Sequence, residues 1–368
     1  MFALCEILRA HGMTVAVAAD SADEVVHEAT RRGFEVVIVP REEILSRRNK
    51  ALLRAGAFAF PRLALALVKQ NWRFVAAVRA WRPDVIWTRG AKGVAFAGPA
   101  SVITRRPLIW DVAMELPSAG RVRILHRLGF AVAAAVVCQY GRAASAIFGE
   151  RLAATYAHKT HALIPGIELS RLREARAKRL ARAKDETHRV ILQIGTVCER
   201  KNLRFSIERL ASLRRRGFDD VELWVAGPVH EQAYCEAMTQ LAESMGVAGQ
   251  VRLLGWRDDV HELMVAADVL VLPSFDEGVP NAVQEAMSIG LPVVTSDVGG
   301  LPEIIDNGET GWALPLADEE AWTEVLATLL SDVWRRQEVG ARAAAYADAA
   351  FGHERWGAEY ARLLERIG

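Results

Sequence analysis

Two doubly wound α/β domains, each a parallel sheet with helices on both faces, are the fold this sequence predicts. Three observations lead there. Short apolar bursts alternate with helix-period stretches along all 368 residues, the rhythm of parallel sheets built from strand–helix–strand units. The length fits two domains at roughly 100–200 residues each. The charge is also divided: residues 1–184 hold 30 Lys and Arg against 14 Asp and Glu, and residues 185–368 hold 16 against 31, so a net charge of +1 hides a basic half and an acidic half.

The elements follow in order. Phe2–His11 reads as a helix. Thr14–Ala18, Glu35–Pro40, Asp84–Thr88, Pro107–Trp110, Ala135–Gln139 and His161–Ile164 read as short buried strands. Ser21–Arg32, Phe60–Trp81, Val94–Thr104 and Gly120–Ala134 read as the helices between them. The second series has strands at Arg189–Ile194, Glu222–Ala226, Val251–Leu254, Val269–Leu272, Pro292–Thr295 and Gly311–Leu314. The predicted organisation is a first domain over 1–168, a charged linker over 169–186, a second domain over 187–350 and a closing amphipathic helix over 351–368. In that helix Trp356, Tyr360, Leu363 and Leu364 share a face.

In a doubly wound sheet the first strand lies in mid-sheet and its loop borders the ligand crevice. Here a helix opens the sequence and the first strand follows it. The pattern predicts a first domain lacking its first strand and the loop after it.

Composition narrows the function classes. Hydrophobic residues at 51% and charged residues at 25% exclude disordered and collagen-like chains. Cys5, Cys138, Cys198 and Cys235 form no CxxC pair, which argues against a zinc site and a disulfide scaffold and fits a reducing compartment. No apolar run is long enough to span a bilayer. The expectation is a cytoplasmic protein, with no metal and no bound cofactor. The basic half would favour an anionic partner. No nucleic-acid-binding motif is visible, so nucleic acid is not expected. Arg54, Arg62, Lys69, Arg73 and Arg79, with Arg82 just past its end, punctuate the apolar stretch Ala51–Trp81, which holds Phe58, Phe60, Trp72 and Phe74. That stretch reads either as a buried helix with a solvated cationic face or as a basic surface resting on anionic lipid at the inner face of a membrane.

The chemistry is concentrated in Pro273–Gly300, PSFDEGVPNAVQEAMSIGLPVVTSDVGG. Glu277 and Glu285 are eight residues apart. Gly278, Val279, Pro280 and Asn281 form a turn into a helix beginning near Asn281. Glu277 then lies in the loop at a strand's carboxyl end, and Glu285 one turn into the helix. Open α/β sheets bind ligands at that edge. The helix N-terminus suits a diphosphate, and ionised carboxylates accept hydrogen bonds from vicinal hydroxyls of a sugar or ribose. Read alone, two such acids would be ordinary surface residues.

This string, with the Glu277/Glu285 pair, the Gly299-Gly300 pair and Gly195 followed by Arg200-Lys201-Asn202, resembles the donor-binding domain of retaining glycosyltransferases of the GT-B fold. The family in question is family 4, which includes many bacterial polysaccharide and lipopolysaccharide enzymes. The likeness covers residues 190–316; upstream it is one of architecture, with Ile164–Leu172 similar to the family's strand and turn before the linker.

The resemblance implies a nucleotide-sugar donor, a glycan or lipid-linked acceptor and no metal. It implies that Lys201 neutralises the donor diphosphate, that Glu277 holds sugar hydroxyls beside the leaving phosphate, and that Glu285 binds the ribose. Gly278, Val279, Pro280 and Asn281 would bring backbone amides to sugar and phosphate. Gly255, Trp256 and Arg257 would pack on the base, and Val225-Ala226-Gly227 would end a strand near the nucleotide. The closing helix would cross back onto the first domain. Attack from the face of the departing phosphate, which takes the proton, makes Glu277 a positioner; a nucleophile role for it stays open.

The sequence departs from the family pattern at two places. Thr196 stands after Gly195 where many members have Arg, which leaves Arg200 to supply the second cation. The first strand and its glycine-rich loop are the other departure. Together they sustain a second reading, a nucleotide-sugar-binding subunit with little or no turnover. Asp111, at a strand end in PLIWDVAMELPS, is a candidate general base or acceptor ligand, with Glu115 a weaker one.

Overall fold

The computed structural model describes residues 1–20, 24–46, 60–112, 120–181 and 188–367. It divides into two units. Residues 1–163 and 357–368 form the first, and residues 164–356 the second.

The strands of the first unit are β1 (Ala16–Ala19), β2 (Glu35–Ile38), β3 (Ile86–Arg89), β4 (Leu108–Asp111), β5 (Ala135–Cys138) and β6 (Thr160–Ala162). They do not make one sheet. β1 pairs with β2, and β3 to β6 form a separate four-stranded parallel sheet. Phe2, Cys5, Val17, Ala29 and Phe34 build a small core around the first pair. The second sheet is framed by aromatic rings, with Trp110 of β4 fully buried and contacting Phe130 and Phe148 edge to face. The expected helix over 60–81 forms between those bounds, and the opening helix runs over Phe2–Ala10. Arg54, Phe58 and Glu115 lie outside the described residues.

The second unit carries β7 (Arg189–Ile194), β8 (Val221–Ala226), β9 (Val251–Gly255), β10 (Val269–Leu272), β11 (Val293–Ser296) and β12 (Trp312–Leu314). All pair in parallel, in the order β12-β11-β10-β7-β8-β9. β10 reads as a continuous apolar run because both its faces are covered. The chain winds one way from β7 to β9 and then returns to the other side of β7 as β10. The gap between β7 and β10 is therefore the point where strand order reverses, the site of the ligand crevice in open α/β sheets.

The stretch expected to be a linker, 169–186, contains helix Ser170–Ala181, which is part of the second unit. The sequence reads it as a charged linker, and its arginines have specific partners within the second unit. Arg176 donates to the Ser288 carbonyl at 2.6 Å and pairs with Asp348, and Arg179 donates to the Ala267 carbonyl at 2.6 Å. Leu172 and Ala175 are buried on the same face as these arginines. The closing helix, His353–Ile367, groups with the first unit from Gly357 onward; Gly357 packs where a larger side chain would strike Ile7.

At the amino ends of β7 and β10, Asp268 accepts the Val190 amide at 2.8 Å and pairs with the buried Arg336 at 3.6 Å. Asp268 and Arg336 are 1% and 4% exposed, so removing one partner strands a charge out of water. Asp268→Ala is expected to destabilise the second unit by about 3–5 kcal/mol, measured as a fall in the urea midpoint. An unchanged midpoint would show that the pair does not hold these strands.

Candidate active site

At the carboxyl ends of β7 and β10, two loops meet. The first, leaving β7, contains Gly195, Thr196, Arg200 and Lys201; the second, leaving β10, contains Glu277 to Pro280. Lys201 Nζ donates to Glu277 Oε1 at 2.5 Å. Arg200 lies 3.2 Å from the same oxygen and donates to the Asp276 carbonyl at 2.7 Å. The Arg200 carbonyl in turn accepts the Phe275 amide at 3.0 Å. Two cations therefore converge on one carboxylate that is 7% exposed.

The Lys201 backbone is fixed from below. Buried Gln193 of β7 donates to the Lys201 carbonyl at 2.9 Å and accepts from Ser206 Oγ at 2.7 Å. Asn202 closes the turn in the left-handed region at φ +51°. Neither Gln193 nor Ser206 stands out in the sequence. An amide and a hydroxyl on apolar elements are the only signal, and that signal is common.

Two glycine contacts set the spacing. A Cβ on Gly227, at the end of β8, would lie 2.1 Å from the Gly195 carbonyl oxygen. A Cβ on Gly299, which has φ +58°, would lie 1.8 Å from the Glu277 carbonyl oxygen. Gly300 beside it donates to the Gly278 carbonyl at 2.9 Å. The glycine pair after β11 thus abuts the loop carrying Glu277, which is why a side chain cannot stand there.

Helix Asn281–Ile289 begins where expected, with Pro280 as its N-cap. Its buried face includes Val283, Gln284, Ala286 and Met287, and Gln284 donates to the Pro165 carbonyl at 2.9 Å. Glu285 leans the other way and is part-buried, with His261 Nε2 3.7 Å from its carboxylate. Burial raises the Glu285 carboxyl from its usual range to about 7, and burial also lowers the His261 imidazole. Sequence reasoning gave no role to His261. Its signal is weak, one histidine in a short helix after β9.

The other candidates are placed less tightly. Trp256, after β9, is 76% exposed. Arg257 beside it is bonded to Asp259 at 2.7 Å, so its guanidinium is held by its own loop. Asp111 ends β4 and belongs to the first unit. Burial pushes its carboxyl up to about 6, with Arg89 and the N-terminal amine pulling down.

Residues 188–332 match the family described as glycosyl transferases group 1. This segment is a group 1 glycosyltransferase domain. Among curated relatives, the lipopolysaccharide core biosynthesis glycosyltransferase LpsE of Rhizobium meliloti is 31% identical over 143 residues, 39% of this chain and 40% of that protein. The lipopolysaccharide glucosyltransferase WaaG of Escherichia coli is 35% identical over 165 residues, 44% of this chain and 43% of that protein. The matches thus span about two fifths of those relatives' length. Among solved structures, HepE of Anabaena in complex with UDP superposes with a TM-score of 0.77 at 20% identity, covering 99% of this chain and 96% of that one. A glycosyltransferase from Rickettsia africae gives 0.77 at 13% identity, covering 100% and 94%. The fold is GT-B, with two parallel-sheet domains. The group 1 domain encloses Lys201, Glu277 and Glu285.

The Glu285 carboxyl provides a pH test. Its folded value near 7 lies above the ordinary 4.5. Folding therefore favours the protonated form, and Glu285 contributes stability that is fully present below pH 4.5 and lost as pH rises through about 7. The stability difference between the wild type and Glu285→Gln, from denaturant midpoints, is expected to move against the wild type between those values and level off above them. A difference that is flat with pH would show a carboxyl titrating as in water.

Proposed function

We propose that this protein is a retaining glycosyltransferase that moves a sugar from a nucleotide-sugar donor to a cell-envelope glycan or lipid-linked acceptor. The observation that carries the reading is the convergence of Lys201 and Arg200 on Glu277 at the point where strand order reverses. As the donor breaks, negative charge grows on the diphosphate. Lys201, Arg200 and the amides opening helix Asn281–Ile289 would stabilise it through preorganised charge. Glu277, steadied by both cations, would hold sugar hydroxyls so that the acceptor meets the anomeric carbon on the phosphate's own face. Glu285, as an acceptor, would take the ribose hydroxyls. Uridine diphosphate is the nucleotide of first choice, since HepE was crystallised with it.

The lipopolysaccharide roles named for LpsE and WaaG support an envelope acceptor. Asp111, partly protonated near neutrality, is suited to exchange a hydrogen bond with an acceptor hydroxyl. No described helix is long and apolar enough to cross a membrane, and the basic helix Phe60–Trp81 supports peripheral contact with anionic lipid. Work at the inner face of a membrane follows from that contact.

A second reading, nucleotide-sugar binding with little turnover, draws on Thr196 and on the division of the first unit's strands into two sheets. One experiment separates the two. Melting temperature is followed with UDP, GDP and ADP, and transfer or hydrolysis is followed with the corresponding sugars. The transferase reading expects a shift with one nucleotide, its loss in Glu285→Ala, and a fall in turnover of roughly 10²–10³-fold in Glu277→Gln with nucleotide binding retained. A shift without turnover in the wild type favours the binding subunit. No shift with any nucleotide contradicts both.

A further inference from the structure

The two glutamates of the second unit keep different company. Two cations hold Glu277. Glu285 has only His261, whose Nε2 lies 3.7 Å from Glu285 Oε2. Among the described residues no other side chain hydrogen-bonds or pairs with that carboxylate. The distance is too long for a hydrogen bond and within reach of an ion pair. Such contacts commonly tighten when a ligand engages one of the partners.

Packing brings the two groups together. His261 stands in the first turn of helix Val260–Ala266, whose Leu263, Met264 and Val265 are buried. Glu285 is the one titratable residue of helix Asn281–Ile289, and the two helices touch. Arg171, in the first turn of helix Ser170–Ala181, opposes a proton on His261. Glu262 favours one, and is itself paired with Lys178. Helix Val333–Ala350 also packs on helix Asn281–Ile289, but its charges are engaged elsewhere. Arg335 pairs with Glu338, Arg342 with Glu338 and Glu309, Arg336 with Asp268, and Asp348 with Arg173 and Arg176. β10 and β11 bring no charge. His261 is therefore the titratable neighbour that answers to Glu285.

A ribose presents two adjacent hydroxyls. A carboxyl group accepts from both through its two oxygens only when it is ionised. Burial leaves Glu285 about half protonated near neutrality, so engaging both hydroxyls means removing a proton. With its own proton on Nδ1, the neutral His261 ring accepts at Nε2. The transfer breaks the O–H bond of Glu285 and forms an N–H bond at Nε2. A carboxylate then faces the hydroxyls with an imidazolium beside it, each stabilising the other's charge.

We propose that His261 is a positioning residue for the nucleotide ribose, taking the Glu285 proton as the nucleotide binds and pairing with the carboxylate so formed. The proposal rests on the ribose role given to Glu285 above.

The test is calorimetric binding of UDP and of 2′,3′-dideoxyuridine diphosphate between pH 6 and pH 8. Both ligands carry the same phosphates, so the ratio of their affinities isolates the ribose hydroxyls. In the wild type the ratio is expected to vary little with pH, because the proton stays within the pair. In His261→Gln the proton must go to solvent. The ratio should then fall roughly tenfold from pH 8 to pH 6, as does the ionised fraction of a group titrating near 7. Glu285→Gln should give a small ratio that is independent of pH. An equal loss at both pH values in His261→Gln would mark a merely structural histidine and overturn the proposal. So would a ratio in that variant as high and as flat as the wild type's, or a wild-type ratio that falls as steeply as the variant's. In each of those cases the ribose reading stands as long as Glu285→Gln lowers the ratio. A ratio undiminished in Glu285→Gln would remove the ribose reading and the proposal with it, as would the absence of binding by either nucleotide.

Discussion

The short contact between Lys201 and Glu277 joins loops whose residues stand 76 apart in the chain. It can form only because β7 and β10, remote in sequence, are neighbours in the sheet. A buried carboxylate with two cations is a demanding arrangement. Desolvating Glu277 and Lys201 costs more than their attraction returns unless geometry and hydrogen bonds are supplied by the surroundings. Much of the second unit can be read as that supply. Gln193 and Ser206 hold the backbone of the lysine, Gly299 allows the backbone of the glutamate to be approached, and Asp268 with Arg336 ties the same two strands at their far ends.

An ion pair so placed has a consequence for binding. The cations are held in position by Glu277 rather than reaching freely into water. On the proposed reading, a diphosphate at the helix N-terminus would meet donors that need little reorganisation, which is the condition under which electrostatics contributes most to a transition state. Glu285 lies on the same helix but in a different environment, where burial rather than cations sets its charge.

Much of this was legible in the residues. β7, β10 and helix Phe60–Trp81 have the bounds that periodicity predicts, because each is an uninterrupted local pattern. The turn Gly278–Pro280 and the helix after it were readable for the same reason. What escaped was non-local. Gln193 and Ser206 acquire meaning only when β7 and the helix after it are packed. The arginines of Ser170–Ala181 read only as part of a charged linker until their carbonyl and carboxylate partners, more than 80 residues away, were in place. The separation of β1 and β2 from the other four strands of the first unit is likewise a matter of pairing, which strand propensity does not encode.

The central claim is that Lys201 and Arg200 are placed for a diphosphate. Calorimetric comparison of uridine monophosphate and uridine diphosphate, in the wild type and in Lys201→Gln, tests it most directly. The account predicts that the second phosphate tightens binding roughly tenfold or more in the wild type. It also predicts that Lys201→Gln closes most of that gap while leaving the monophosphate affinity in place. A gap that survives the substitution undiminished would contradict it.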